Sequence, residues 1–222
     1  MAEQERAIRT RHAILMAAAK VFEDRGYEAA TISEILASSG VTKGALYFHF
    51  RSKDDLAQAV LGLQNELPPA PARESKVQEL VDTVLLHTYR METNLLVRAG
   101  VRLSMEQHAG LDRSGPFISW IDFLGGLLAQ AKMQGELYPY ADPVQTAEVI
   151  VGSYGGVQSL SQALSDYQDL SFRVVLLLRH LLTSAVVPSV IAHLELSESR
   201  GALVYAETVE MAEDQPDPAL HL

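Results

Sequence analysis

TISEILASSGVTKGALYFHF, residues 31–50, reads as two short helices joined by a tight turn. Thr31 carries the hydroxyl an N-cap needs, and Glu34 three residues later completes a capping box. Ile32, Ile35 and Leu36 give the first helix one apolar stripe. Ser39-Gly40 then breaks it, since Gly40 is free to take the positive φ of a helix C-terminus. Val41 is placed to plug the angle between the helices, and Thr42 caps a second helix running from Lys43 to His49. Such a pair is a helix-turn-helix, whose second helix lies in the major groove of DNA.

The residue types on the second helix suit that role. Gly44 lets the helix approach a DNA backbone closely, and Lys43 can reach guanine O6 and N7 or a phosphate. Thr31, Thr42, Tyr47, His49 and Lys53 offer hydroxyl, phenol, imidazole and ammonium donors for phosphates. Leu46 and Phe50 are assigned to a small core with Phe22 and Ile35. The plainer alternative makes Tyr47, Phe48 and His49 ordinary core aromatics; the capped helix-turn-helix around them favours DNA. Upstream, Ile8, Ile14, Leu15, Ala18, Val21 and Phe22 predict a helix from Glu5 to Arg25, ended by Gly26. Arg6, Arg9 and Arg11 near its start suit either phosphate or minor-groove contacts or a solvated helix end.

Residues 42–50, Thr-Lys-Gly-Ala-Leu-Tyr-Phe-His-Phe, with Ser52-Lys53-Asp54-Asp55-Leu56, resemble the signature of TetR-type transcriptional repressors over roughly residues 8–60. The runs Leu96-Val97-Arg98-Ala99-Gly100-Val101-Arg102-Leu103 and Pro116-Phe117-Ile118-Ser119-Trp120 further resemble the C-terminal domains of actinobacterial γ-butyrolactone (autoregulator) receptors. That resemblance implies a homodimer on a pseudo-palindromic double-stranded DNA operator. It also implies a pocket for a small acylated lactone, butenolide or furan. In those receptors the tryptophan stacks on the ligand ring, which carries over to Trp120, and a glutamine closing the fourth helix corresponds to Gln64. A threonine donor on the eighth helix is replaced here by Val157, leaving Gln158 or Ser153 to donate instead. Tyr89 and Tyr154 join this candidate pocket set, with the core as their alternative. Gly152, Gly155 and Gly156 either make room for a ligand or let a partner helix approach.

Charge patterning is compatible with that organisation. The chain of 222 residues has a formal charge of −10, yet residues 1–60 hold eight basic and eight acidic side chains. All the excess negative charge therefore falls on the remainder, which DNA repels. A neutral head implies modest non-specific binding, so discrimination rests on groove contacts and on pairing two heads. The absence of cysteine excludes disulfides, thiol catalysis and thiolate metal sites, and fits a reducing cytoplasm. Motifs for metal-dependent, nucleotide-binding or serine-hydrolase chemistry are missing. Beyond the head, His87, His108, His180 and His193 show no ligand-like pairing and read as structural or surface groups. No enzyme activity, cofactor or metal is expected.

The expected fold is all-α: a three-helix head over 1–52, then a larger helical effector-binding and dimerisation domain over 53–205. Its first helix, 53–67, links the two, and residues 206–222 form an acidic tail that frays, beginning near Glu207. Further helices are predicted at 75–91, 94–107, 116–134, 143–165, 171–187 and 189–196. Arg179, His180 and Pro188 interrupt the most apolar run, which argues for a buried helix rather than a membrane span. Leu160, Leu164, Val175 and Leu178 are the candidate dimer contacts. The function expected is a repressor released from DNA by a hydrophobic signal. A multidrug-sensing regulator with the same head, and an interaction module with a vestigial helix-turn-helix, are the alternatives.

Overall fold

The computed structural model describes residues 2–63, 68–105 and 114–213. Those residues form helices and no β-strand, in agreement with the all-α expectation. In chain order they are α1 (Ala2–Ala29), α2 (Ile32–Ser39), α3 (Lys43–His49), α4 (Lys53–Leu63), α5 (Lys76–Thr93), α6 (Leu95–Met105), α7 (Ser114–Met133), α8 (Pro143–Ser165), α9 (Leu170–Ala185), α10 (Pro188–Ile191) and α11 (Arg200–Glu213). Two compact units result: α1–α4 with α6, and α5 with α7–α11. No helix among the described residues is long and apolar enough to cross a membrane.

In the first unit, Ile14, Leu15, Ala18, Ala19 and Phe22 recur at helical spacing along α1 and are buried. Gly26 interrupts α1 with φ 76°, so the continuous helix ends where its periodicity ends. Ile35, Leu46 and Phe50 join Phe22 in the core, as the sequence pattern requires. The same core takes in Leu56, Ala57 and Val60 of α4 and Ala99 and Leu103 of α6. It therefore extends past the boundary drawn at residue 52. The apolar stripe of α4 needs cover, and α6 supplies part of it. Arg98 pairs with the Glu23 carboxylate and Arg102 donates to the Glu23 carbonyl, which ties α6 to α1. The Leu96–Leu103 run, which the resemblance assigned to the C-terminal domain, thus packs within the first unit.

In the second unit, α5 buries Val77, Leu80, Val81, Val84, Leu85 and Leu86. A helix apolar on so many sides is a core helix. Leu124, Leu127, Leu128 and Ala131 form the buried stripe of α7, which packs on α8, and α8 packs in turn on α9. Asp142 caps α8 by accepting from Gln145 N at 2.9 Å, and Pro143 opens it. At the far end Ser161, Ser165 and Arg173 converge on Asp169. The Arg173 hydrogen bond, followed by the serine hydroxyls, holds that carboxyl well below the usual range.

Two C-terminal expectations are corrected. The helix predicted over 189–196 closes early, at Ile191. Residues 206–213, assigned to a fraying tail, continue α11. Long-range contacts hold α11 in place. Arg200 donates through Nε and Nη2 to the two oxygens of Asp82, both at 2.8 Å, and Asp82 is fully buried. Arg73 adds a further bond to Asp82 at 2.7 Å and an ion pair with Glu207. A Cβ at Gly201 would lie 2.3 Å from the Leu85 carbonyl oxygen, so only glycine lets α11 ride this close to α5. Residues 214–222 lie outside the described residues.

Candidate nucleic-acid interface and ligand cluster

The capping box at α2 forms as expected. Glu34 N donates to Thr31 Oγ1 at 3.2 Å, and Thr31 N donates to the Glu34 carboxylate at 3.1 Å. These bonds, with Arg25 at 3.0 Å, hold the Glu34 carboxyl below its ordinary value, the Thr31 hydroxyl being the largest cause. Gly40 takes φ 68° and ψ 12°, the left-handed stop the turn needs. Thr42 Oγ1 accepts from Ala45 N at 3.2 Å, which fixes the start of α3 and leaves the hydroxyl proton free.

Because Leu46 and Phe50 point inward at i and i+4, the opposite side of α3 is open. It carries Gly44 and Phe48; Lys43 in the first turn and Tyr47 on the flank are exposed as well. The Lys43 ammonium lies 5.9 Å from the Tyr47 ring centre. No protein atom stands within 4 Å of a Cβ added to Gly44, so glycine serves no internal packing there. Phe48 is 81% exposed, an outward apolar group the DNA-contact set omitted. The inward pair at 46 and 50 already implied it, since residue 48 lies on the opposite side of the helix. His49 is half-buried, with ring contacts to Phe48 at 5.0 Å and Phe50 at 6.4 Å.

Two of the expected phosphate donors are committed elsewhere. Lys53 Nζ donates to the carbonyls of Tyr27 (2.8 Å), Glu28 (3.4 Å) and Ala30 (3.1 Å). An ammonium has three N–H donors, so all are spent on ending α1. Thr31 donates its hydroxyl proton to Glu34 at 2.9 Å. Both residues shape the head from within. Thr42, Lys43, Gly44, Tyr47 and Phe48 remain as the outward set, with His49 at its edge.

In the second unit three rings from three helices converge. His87 of α5 lies 4.9 Å from Trp120 of α7 and 5.6 Å from Tyr154 of α8, centre to centre. The Thr88 hydroxyl gives its proton to Val84 O at 2.8 Å, so in the 3.2 Å contact with Tyr154 the phenol is the donor. Burial lowers the His87 pKa to about 4, with a smaller push from the Arg90 guanidinium. Burial also raises the Tyr154 phenol. Both groups are therefore neutral near pH 7. Each still keeps some accessible surface despite this desolvation, as does Trp120. Val157, half-buried, and Gln158, buried, lie one turn along α8 from Tyr154.

Tyr89 does not join this cluster. It lies about 200° round α5 from His87 and meets Tyr205 of α11 with centres 5.2 Å apart. Gln64 lies outside the described residues. His87, read from sequence as structural or surface, sits at the centre; a lone histidine in a helix gave no signal of that. A separate cleft of about 730 Å³ is lined by Arg73, Gln78, Glu136, His193, Glu195 and Arg200, among others. Its two arginines are already paired, with Asp82, Glu195 and Glu207. Among the described residues no group of acidic and histidine side chains is arranged to hold a metal.

Residues 14–60 match the family model described as bacterial regulatory proteins, tetR family. The A-factor receptor protein of Streptomyces griseus is 42% identical over 221 residues, covering 99% of this chain and 78% of the relative. A crystal structure of TylP, a TetR regulator from Streptomyces fradiae, superposes with a TM-score of 0.76 at 44% identity, over 94% of this chain and 93% of that one. CprB from Streptomyces coelicolor, in complex with its operator sequence, gives a TM-score of 0.69 at 28% identity, over 95% of this chain and 100% of that one.

Proposed function

Because the chain belongs to the TetR family of bacterial regulatory proteins, we propose that the His87–Trp120–Tyr154 cluster is where its effector binds. The protein is a ligand-responsive repressor that binds operator DNA as a dimer. The effector is a small, largely apolar signal of the γ-butyrolactone, butenolide or furan class. The observation that carries this reading is the meeting of three rings from three helices, with His87 and Tyr154 both neutral. Such a site takes a ring against Trp120 and offers few polar groups to fix it. A multidrug site for cations would need carboxylates facing Trp120. The charge acting on His87 is Arg90, and Glu92 is engaged with Ser171 at 2.8 and 2.9 Å.

Thr42, Lys43, Gly44, Tyr47 and His49 contact the operator, with Lys43 reaching the base edges. The dimer face is drawn from α8, where Val149, Gly152, Gly156, Leu160 and Leu164 recur at three- and four-residue spacing and are exposed. No protein atom stands within 4 Å of a Cβ added at Gly152 or Gly156, which favours a partner helix over a ligand as the reason for them. Val175 and Leu178, also expected in the interface, are buried within the chain. The site calls for binding rather than turnover, and a DNA operator places the protein in the cytoplasm. Operator anisotropy with added butyrolactones, butenolides and furans tests the reading. At least one should release the wild type and leave Trp120→Ala bound. No release by any of them would refute it.

A further inference from the structure

Arg90 stands one turn beyond His87 on α5, so the two side chains leave the same side of the helix. It is only 8% exposed. Among the described residues its guanidinium makes one hydrogen bond, from Nη2 to the carbonyl oxygen of Pro68 at 2.6 Å. Nε is buried and has no acceptor among the described residues. Three other arginines of this unit are matched with acids: Arg73 and Arg200 with Asp82, Arg173 with Asp169. Arg90 makes no such pair among the described residues. A guanidinium does not escape by losing its proton, so the charge remains. Burying an unpaired charge is strongly unfavourable, and an orphaned N–H adds to the penalty. Those groups call for something that supplies both an acceptor and a negative charge.

We propose that Arg90 anchors the head group of the effector, and that the effector is an amphiphilic carboxylate whose ring or alkyl portion lies against Trp120. The proposal rests on the aromatic cluster being the effector site; of the classes named for that site it keeps only a furan bearing a carboxyl group and sets the neutral lactones aside. A lactone carbonyl would satisfy Nε but leave the charge uncompensated. A carboxylate does both, in the planar geometry a guanidinium favours. Its approach to His87 is unopposed, because that imidazole is neutral and the Arg90 charge already acts on it.

The chain has a single tryptophan, so its fluorescence reports on Trp120 alone. The full-length dimer is titrated with octanoate and with its neutral isostere octanamide. The wild type should bind octanoate at least about tenfold more tightly. Arg90→Gln should erase that preference, and Arg90→Lys should keep part of it. Thermal melting identifies which variants fold, and the wild-type comparison needs no variant. Equal or tighter binding of the amide, or a preference that survives in folded Arg90→Gln, overturns the proposal. Failure of both probes to bind also overturns it; operator release by a butyrolactone in the same sample would then leave the repressor reading intact. Octanoate preferred through Arg90 without release of operator by any compound would support the anchor and sink the release mechanism.

Discussion

Replacing Lys53 with methionine keeps the aliphatic stem and removes the three bonds to Tyr27, Glu28 and Ala30 carbonyls, together with the ammonium 4.3 Å from the Tyr27 ring centre. A hydrogen bond from a charged donor contributes about 1.5–3 kcal/mol. Here three share one half-buried donor, and the freed carbonyls regain water. The combined loss should therefore be about 2–3 kcal/mol of stability in the first unit. Were Lys53 a phosphate contact instead, a dimer would lose two contacts, and the slope of log K against log salt would flatten by about 1.8. The two roles separate cleanly in one pair of experiments. Operator affinity is measured by anisotropy across a salt series, and stability by urea unfolding. Lys53→Met should unfold earlier and bind more weakly by a similar factor at every salt concentration, with the slope unchanged. A flattened slope with unchanged stability would refute the reasoning and restore Lys53 to the DNA interface.

Gly44→Ala should stabilise α3 by up to about 1 kcal/mol, since alanine is the better helix residue and meets no protein atom there. The same change should weaken operator binding at least about tenfold, and unaltered binding would show that no backbone approaches Gly44. His87 favours its neutral form, with a folded value of about 4 against an ordinary 6.5. The folded state then binds fewer protons between those values, so stability is full above pH 6.5 and falls as pH drops towards 4, by about 3 kcal/mol in all. His87→Phe should remove that loss between urea midpoints at pH 7 and pH 5; an identical loss in the variant would count against a buried neutral imidazole.

The head was legible because its determinants are local. Thr31 and Glu34 cap within one turn, Gly40 stops α2 by its own backbone freedom, and the 46–50 spacing sets which side of α3 faces out. What was not legible in this region depends on distance along the chain. Lys53 looked like a surface cation at the start of a helix, yet its partners lie more than twenty residues upstream. The C-terminal helix was missed for the same reason. Asp82 and Arg200 are 118 residues apart, and neither carries a mark that the two meet in a buried pair.

Helix α5 shows why the ligand cluster was only partly readable. A pattern of apolar residues establishes that a helix is buried but not what faces each side of it. Tyr89 and His87 both sit in the interior stretch of α5, and composition favours the tyrosine as a ligand platform. Geometry reverses them. Tyr89 turns towards α11, where Gly201 brings that helix against Leu85 and the Asp82–Arg200 pair locks it. His87 turns towards Trp120 of α7 and Tyr154 of α8, and the Arg90 charge acts on it. One side of α5 is thus fixed by an ionic network, while the other presents a neutral imidazole, with the Arg90 Nε left without an acceptor among the described residues one turn on. Groups that a fold leaves unsatisfied on a helix it otherwise anchors this firmly are those a ligand can complete, and sequence periodicity alone does not tell the two sides apart.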